Sequence, residues 1–580
     1  MKVIVDMQDD WRTYFVQSGR WELHYSFARE FIDSSLDHGT FNISEYRRPN
    51  RRFLLCSLVR YLDADAWTME LVAGDTIDAQ RLAQFFAHLK ERTFFGEALR
   101  FRALSPMQET HVRTLGDRLP GVDADALMAS VRYQPLVTGE AYGYLRIVRG
   151  TLDVSAVRPS DLLVTEHVPM ELPPASGLVT SRLQAPLAHV AVLSRNRGTP
   201  DMAVRGAVDD PRFTALEGQL VRLHVGPQDF VLERADQAAA ERHWASRRPA
   251  RTFVPDQDIA YRDLQEVCSL RLEDGRFAGA KASQLGEVCG LEGIETPGGF
   301  VVPFAYYHDH LNRHRVQAEL QAMHADGAFR SDRSVRATRL ATVRQSIERG
   351  DVPDALLAAV AAKMAGSDRR WIFRSSTNAE DLVGFNGAGL YESVVVDARA
   401  TRAQISEAIR KVWASVWLQR GWEEREWYRI DHLRVAMAVL IQPFVDDVVG
   451  SGVAITRNPF DEGRPGVYVN VQAEGGSVTG AGDDELPEQV MIYTWAEEME
   501  FEVISRSTRN GGQPILTEAD LQRLGALLQR LHDELEPLYG GDANAVDVEM
   551  LLTRSGRRFV IVQARPITIR YSPGQEWRTP

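Results

Sequence analysis

Cysteine is scarce in this chain. There are three in 580 residues, and Cys56, Cys268 and Cys289 lie far apart with no CxxC pair. That spacing suggests neither a disulfide framework nor a cysteine-based zinc site. Long apolar runs are missing too: no stretch approaches the roughly 18–20 residues that a membrane span needs. The N-terminus, MKVIVDMQDDWRTYF, turns acidic and aromatic where a signal peptide would stay apolar. A reducing, cytoplasmic location without a membrane partner is therefore expected. Basic charge is not in excess either. Against 67 Lys and Arg stand 80 Asp and Glu, a net charge of −13, so nothing draws the chain generally to nucleic acid. The one basic cluster, YRRPNRRF (Tyr46 to Phe53), reads as a solvated loop before it reads as an anion site.

The chain is too long for one ordinary domain, and an α+β multidomain protein is expected. Residues 1–158 give mixed signals. RRFLLCSLVRYL reads as a buried strand, and DAQRLAQFFAHLKERTFF as a helix with Leu82, Phe85, Phe86 and Leu89 on one face. Residues 159–235 alternate short β-rich runs (DLLVTEHV, SGLVTS, QLVRLHV, DFVLER) with one helical candidate near Pro186, a small α/β domain. Residues 236–262, with little periodicity and several charges and prolines, read as a linker. Residues 263–580 form a larger α+β unit, with no internal repeat.

That last unit carries the clearest chemistry. FRSSTNAEDLVGFNGAGLYES (Phe373 to Ser393) supplies Arg374, hydroxyls beginning with Ser375, and a loop with Gly384, Gly387 and Gly389. Arginine and hydroxyls bind phosphate oxygens, and glycines let backbone N–H groups approach an anion. Alone, such a loop is as well explained by a surface turn. Near the C-terminus, VDVEMLLTRSGRRFVIVQARPIT (Val546 to Thr568) reads as a hairpin. Its first strand puts Asp547 and Glu549 on one face, and its second does the same with Gln563 and Arg565. Hard oxygen donors suit Mg²⁺, which takes few protein ligands besides nucleotide phosphates. The plain alternative is a hairpin with a polar outer face.

Together these segments resemble a known family. RSSTNAED…GAGLYES, GVAITRNP and VDVEMLL…VIVQARPIT resemble the ATP-grasp nucleotide-binding domain of the dikinases: pyruvate phosphate dikinase, phosphoenolpyruvate synthase and the α-glucan water dikinases. AGAKASQLGEV (Ala278 to Val288) looks like that domain's N-terminal signature, and KVWASVW (Lys411 to Trp417) fits a helix with core residues Ile405, Ile409, Val412, Trp413 and Val416. The loop form and the domain order are most similar to the glucan water dikinases. ELPPASGLVTSRLQAPLAHVAVLSRNRGTPDMAV looks like the family's swivelling phosphohistidine domain, with Ala188 where serine is more usual. Pro186 suits a helix start and Asn196-Arg197-Gly198 its end, so His189 falls in the first turn. A helix N-terminus favours an attached phosphoryl group and disfavours imidazolium, which keeps the ring nucleophilic.

The resemblance implies a two-stage phosphotransfer. ATP binds with Mg²⁺; Lys281, Arg374 and Arg565 neutralise phosphate charge, and Glu549 and Gln563 hold the metal. In the strand AVLIQPFV (Ala438 to Val445), Gln442 and the backbone near Val445 border adenine. His189 takes the β-phosphoryl group, AMP and phosphate leave, and the histidine domain swings to an acceptor, a small metabolite or a glucan. No pyruvate-type barrel is expected after QARPIT, so the acceptor site falls in the N-terminal domain or between domains. Trp11, Trp21 and Trp67 are too scattered to form a glucan-binding platform. Glu474, displaced from the spacing of the family's G-L-G-E segment, has no assigned role. Two other readings compete: an ATP-grasp ligase that releases ADP through an acyl phosphate, and a nucleotide-gated regulatory protein that no longer turns over. No oligomeric state follows from the sequence.

Overall fold

The computed structural model describes residues 1–569 except 19, 22, 63, 73–74, 123–126, 128–130, 154–155, 170–171, 173, 185–188, 248–250, 383–384, 387–389, 460–464, 475–486, 495–498 and 541–542. The described residues form a mixed α/β, multidomain protein with several sheets.

The first sheet has the order β2-β1-β3-β4-β5, from β1 (Lys2–Asp6), β2 (Arg12–Val16), β3 (Phe53–Tyr61), β4 (Ala66–Glu70) and β5 (Leu99–Arg102). Helices α1 (His24–Phe31) and α2 (His38–Arg47) carry residues of one of its core clusters. Helix α3 (Ala79–Arg92) belongs to the other, burying Leu82, Phe85, Phe86 and Leu89 as its apolar spacing predicts. The Asp78 carboxylate starts α3 by accepting from the Arg81 N–H at 2.9 Å. The basic cluster at the end of α2 is only in part a solvated loop: Arg48 to Asn50 are exposed, but the arginines that follow are not free in water. Arg51 is buried against Asp75 at 2.5 Å, and Arg52 pairs with Asp6 and Asp33. Burial raises the Asp75 carboxyl to about 6 although Arg51 opposes the shift.

The second sheet has the order β12-β11-β7-β8-β9-β10-β6. Its strands are β6 (Tyr133–Val137), β7 (Gly139–Val148), β8 (Asp161–Thr165), β9 (Gly177–Thr180), β10 (Asp201–Val204), β11 (Leu220–Val225) and β12 (Phe230–Arg234). This corrects the expected boundary at 158/159, which falls within the sheet: β7 pairs with β8 and β11, and β6 with β10. These pairings join residues far apart in sequence, which local patterning does not reveal. Helix α5 (Pro106–Leu115 being α4) spans His189–Arg197 and ends at Gly198, whose φ of +60° suits the left-handed exit. The expected linker contains a helix, α6 (Gln237–Arg247), whose Trp244 indole donates to the Tyr142 carbonyl at 2.6 Å.

The remainder holds two antiparallel sheets. One has the order β13-β14-β19-β15-β18, with β13 (Gln265–Glu266), β14 (Phe300–Val302) and β15 (Trp371–Thr377). After β15 come a small hairpin, β16 (Asp381–Leu382) and β17 (Phe385–Asn386), and then β18 (Val394–Val396) and β19 (Met437–Pro443). The other has the order β23-β22-β21-β20-β24-β25, with β20 (Val448–Ile455), β21 (Gly466–Ala473), β22 (Glu488–Tyr493), β23 (Glu500–Ser505), β24 (Ala545–Thr553) and β25 (Phe559–Ile567). One apolar core runs through both sheets and their helices: α7 (Ala280–Cys289), α8 (Arg333–Arg349), α9 (Arg402–Ala414), α10 (Gln419–Trp427) and α11 (Glu518–Tyr539). The expected stripe Ile405, Ile409, Val412, Trp413 and Val416 is buried in it.

The N-terminal sheet docks on the edge of the last one. The Val503 N–H of β23 donates to the Leu104 carbonyl at 3.1 Å, and Arg47 pairs with Glu500 at 3.1 Å. A further correction concerns the cysteines. Cys268 and Cys289 form a disulfide with Cα atoms 5.0 Å apart, because α7 folds back over the turn at Val267–Ser269. Cys56 is free and buried. Among the described residues, no helix is long and apolar enough to cross a membrane.

Helix α11 yields a stability prediction. Thr517 and Asp520 form a reciprocal capping box, and the Asp520 carboxylate also accepts from Arg523 at 2.5 Å and from Arg557. Burial pushes this carboxyl up, but Arg557, Thr517 and Arg523 outweigh it and hold it at about 2. Its stabilising effect is therefore complete above the ordinary carboxylate value and disappears as pH falls from about 4 towards 2. Asp520→Asn should lower stability by about 1–2 kcal/mol at pH 7, read as a fall of about 3 °C in the thermal midpoint of this unit. The difference should shrink when the same melt is run near pH 2.5; an undiminished difference there would remove the charge from the explanation.

Candidate functional site

The C-terminal hairpin forms as expected, and its register decides which residues face each other. Asp547 lies opposite Arg565 and Glu549 opposite Gln563, while Val546 and Val548 are buried in the main core. Arg565 donates to the Asp547 carboxylate at 2.8 Å and 2.5 Å. Burial pushes the Asp547 carboxyl up, with Arg565 opposing. Of the three cations expected at phosphate, Arg565 is thus matched inside the fold by a carboxylate.

Arg374 crosses between the two sheets. From β15 its guanidinium donates to the Val562 carbonyl at 2.7 Å, and its other terminal nitrogen lies 3.4 Å from both the Glu549 carboxylate and the Gln563 amide oxygen. One side chain therefore joins both sheets at the pair of oxygens expected to hold a metal. Ser375, next to it, is buried in register with Val439.

Lys281 stands in the first turn of α7 and pairs with Glu380 at 2.8 Å; both are buried. The chain before it presses on β15. Gly279 has φ +79°, and a Cβ there would meet the Ser376 carbonyl at 2.3 Å. The Ser376 hydroxyl donates to the Ala278 carbonyl and accepts from the Ala282 N–H, which locks this turn to β15. Gln442 is buried on β19, and its amide donates to the Gly298 carbonyl at 2.8 Å; Val445, just past that strand, is half-buried. Glu474 pairs with Arg554 at 2.5 Å on the surface.

His189 is the first residue of α5, and α5 lies against β17. Pro186, Ala188, Gly384, Gly387 and Gly389 lie outside the described residues. At the other end of α5, Arg197 forms an ion pair with Glu424 of α10. Burial raises the Glu424 carboxyl to about 7, with Arg197 opposing. Neither Glu424 nor Glu380 was singled out from sequence, although Glu380 sits within the quoted Phe373–Ser393 stretch and its proximity to Arg374 was the available signal.

The donor chemistry fits a hard cation. Glu549 and Gln563 offer a carboxylate and an amide oxygen side by side, a donor pair that the Arg374 guanidinium occupies in the structure and would have to yield to a metal. Among the described residues, no group of three or more His, Cys, Asp or Glu could hold a metal ion. A metal here would therefore rely on two protein oxygens and on the ligand's own.

The two antiparallel sheets thus meet at Arg374, Glu549 and Gln563, with the buried Lys281–Glu380 pair contributed by α7 and the turn after β15. The chain belongs to the family of the pyruvate phosphate dikinase AMP/ATP-binding domain, whose model matches residues 276–576, more than half of the chain. Curated relatives include rifampicin phosphotransferases from Streptomyces sviceus (29% identical over 330 residues, 53% of this chain and 35% of that one) and Bacillus subtilis (26% over 311 residues, 50% and 34%). A probable phosphoenolpyruvate synthase from Methanocaldococcus jannaschii is 24% identical over 320 residues, 51% of this chain and 26% of that one. The chain thus spans about a third or less of the length of these relatives.

Proposed function

We propose that the chain is a dikinase-type phosphotransferase that moves the β-phosphoryl group of ATP to an acceptor through His189, releasing AMP and phosphate. One observation carries this reading. Arg374 ties the two sheets together at Glu549 and Gln563, on the side of the fold where the helix that begins at His189 lies against β17. In this reading residues 263–580 bind the nucleotide, the sheet from β6 to β12 carries the histidine, and the N-terminal sheet serves the acceptor.

Lys281 and Arg374 draw the phosphate oxygens with Ser375 beside them, Gly387 keeps the phosphate role its sequence motif implies, and Gln442 and Val445 border adenine. Arg565 works through its pair with Asp547, which fixes the face that Glu549 and Gln563 share. Mg²⁺, held by Glu549 and Gln563, supplies charge neutralisation when bound. A ring nitrogen of His189 bonds to the β-phosphorus as the bond to the α-phosphate oxygen breaks, and AMP leaves. Water takes the γ-phosphate, and the remaining phosphoryl group passes to an acceptor hydroxyl, whose proton leaves to a base. Such transfers depend on positioning and charge neutralisation, which this set of residues supplies. A small hydroxyl-bearing acceptor is preferred to a glucan, and it is supported by the rifampicin phosphotransferases among the relatives.

The test uses the full chain with Mg²⁺ and ATP labelled separately at the β and γ positions. Acid-labile β-label on the protein, with AMP as the product, is expected. ADP as the product, or no β-label on protein shown to bind ATP, would favour the ligase or the regulatory reading.

A further inference from the structure

Helix α10 contains three consecutive buried charges, Glu423, Glu424 and Arg425, and they differ in where their partners come from. Glu423 accepts from Arg333 at 2.8 Å and pairs with Arg336 at 3.4 Å, both on α8. Arg425 donates to the Val416 carbonyl at 2.8 Å and to the Tyr391 hydroxyl at 3.2 Å, and it faces His432. All of these belong to the nucleotide-binding family region. Glu424 alone is matched from outside it, by Arg197 at the end of α5.

Arg197 is aimed by its own unit. Its guanidinium donates to the Leu172 carbonyl at 2.6 Å, and Arg247 of α6 donates to the Arg197 and Gly198 carbonyls at 2.7 Å and 2.6 Å. The side chains of Arg197 and Glu424 are only 6% and 1% exposed, so docking removes both charges from water.

We propose that Arg197 and Glu424 are positioning residues, a latch that holds the His189-bearing unit against the nucleotide-binding unit for the first phosphoryl transfer. This rests on the phosphotransferase reading above. A buried ion pair suits a reversible latch. Its attraction is largely offset by desolvation, so it adds register without locking the units together, and both charges regain water when they part. An apolar contact of the same size would leave a sticky surface on each unit after every cycle. Removing one partner is worse than removing both, because a lone buried charge resists docking.

The experiment compares Arg197→Met, Glu424→Gln and the double variant Arg197→Met/Glu424→Met with wild type in the full chain. Three quantities are read: the single-turnover rate of labelling by β-labelled ATP with Mg²⁺, the equilibrium binding of ATP, and amide hydrogen exchange in α5 and α10. Each single variant should slow labelling by about 100-fold or more, raise exchange in both helices together and leave ATP affinity unchanged. The double variant should recover to within about 10-fold of wild type. Unchanged exchange in the single variants would overturn the latch, as would a double variant no better than the worse single. If wild type itself takes no β-label, the phosphohistidine reading fails, and exchange alone then decides whether the latch exists.

Discussion

His189→Asn is expected to abolish labelling of the protein by β-labelled ATP, a loss of about 10,000-fold or more, with ATP affinity within about twofold of wild type. The reasoning starts from the helix. His189 opens a nine-residue helix, and asparagine keeps a polar side chain of similar reach there without a ring nitrogen. The proposed chemistry does need it, because an amide cannot carry the phosphoryl group. The split between binding and labelling is the informative part. Equal labelling of variant and wild type would remove His189 from the mechanism, whereas loss of ATP binding would point to a role in folding or docking.

Arg374→Lys should be the next most damaging change, slowing labelling by about 100- to 1,000-fold and weakening ATP binding by about tenfold. Arg374 acts at three oxygens at once: the Val562 carbonyl, the Glu549 carboxylate and the Gln563 amide. Lysine keeps the charge but not the planar fork, so it can serve the carbonyl or the oxygen pair, not both with good geometry. Stability should fall by only about 1 kcal/mol, since one hydrogen bond to a carbonyl is lost at a partly exposed site. A labelling rate equal to wild type would mean that net charge suffices and that the bridge between the sheets is incidental. Rapid-quench labelling with titrated ATP separates the two effects.

The sequence made the hairpin at Val546–Thr568 legible because alternation of period two is local and puts Asp547 with Glu549, and Gln563 with Arg565, on shared faces; the pairs Asp547–Arg565 and Glu549–Gln563 depend on the register, which alternation does not fix. The buried stripe of α3 was legible for the same reason, with a period of 3.6. What escaped depends on contacts between distant segments. Strands β6 and β7 joined the second sheet through partners after residue 158, and Cys268 met Cys289 only because a helix folds back. Helix α10 escaped for another reason: WEEREW looks like a solvated surface, and nothing local indicates that its three central charges are buried against partners elsewhere. The basic cluster at Arg47–Arg52 misled in the same way, since its arginines meet carboxylates from other segments.

The two cations proposed to draw phosphate are already paired in the structure: Lys281 with Glu380, and Arg374 with Glu549. An arriving anion must therefore outcompete a resident carboxylate for each cation it takes, and a single negative charge gains little from such an exchange. A chain of phosphates, which meets several cations at once, gains at every one of them. In the function proposed above, such a resting site would set a threshold on charge number, favouring a triphosphate over its shorter breakdown products before any contact with the base or the sugar is made.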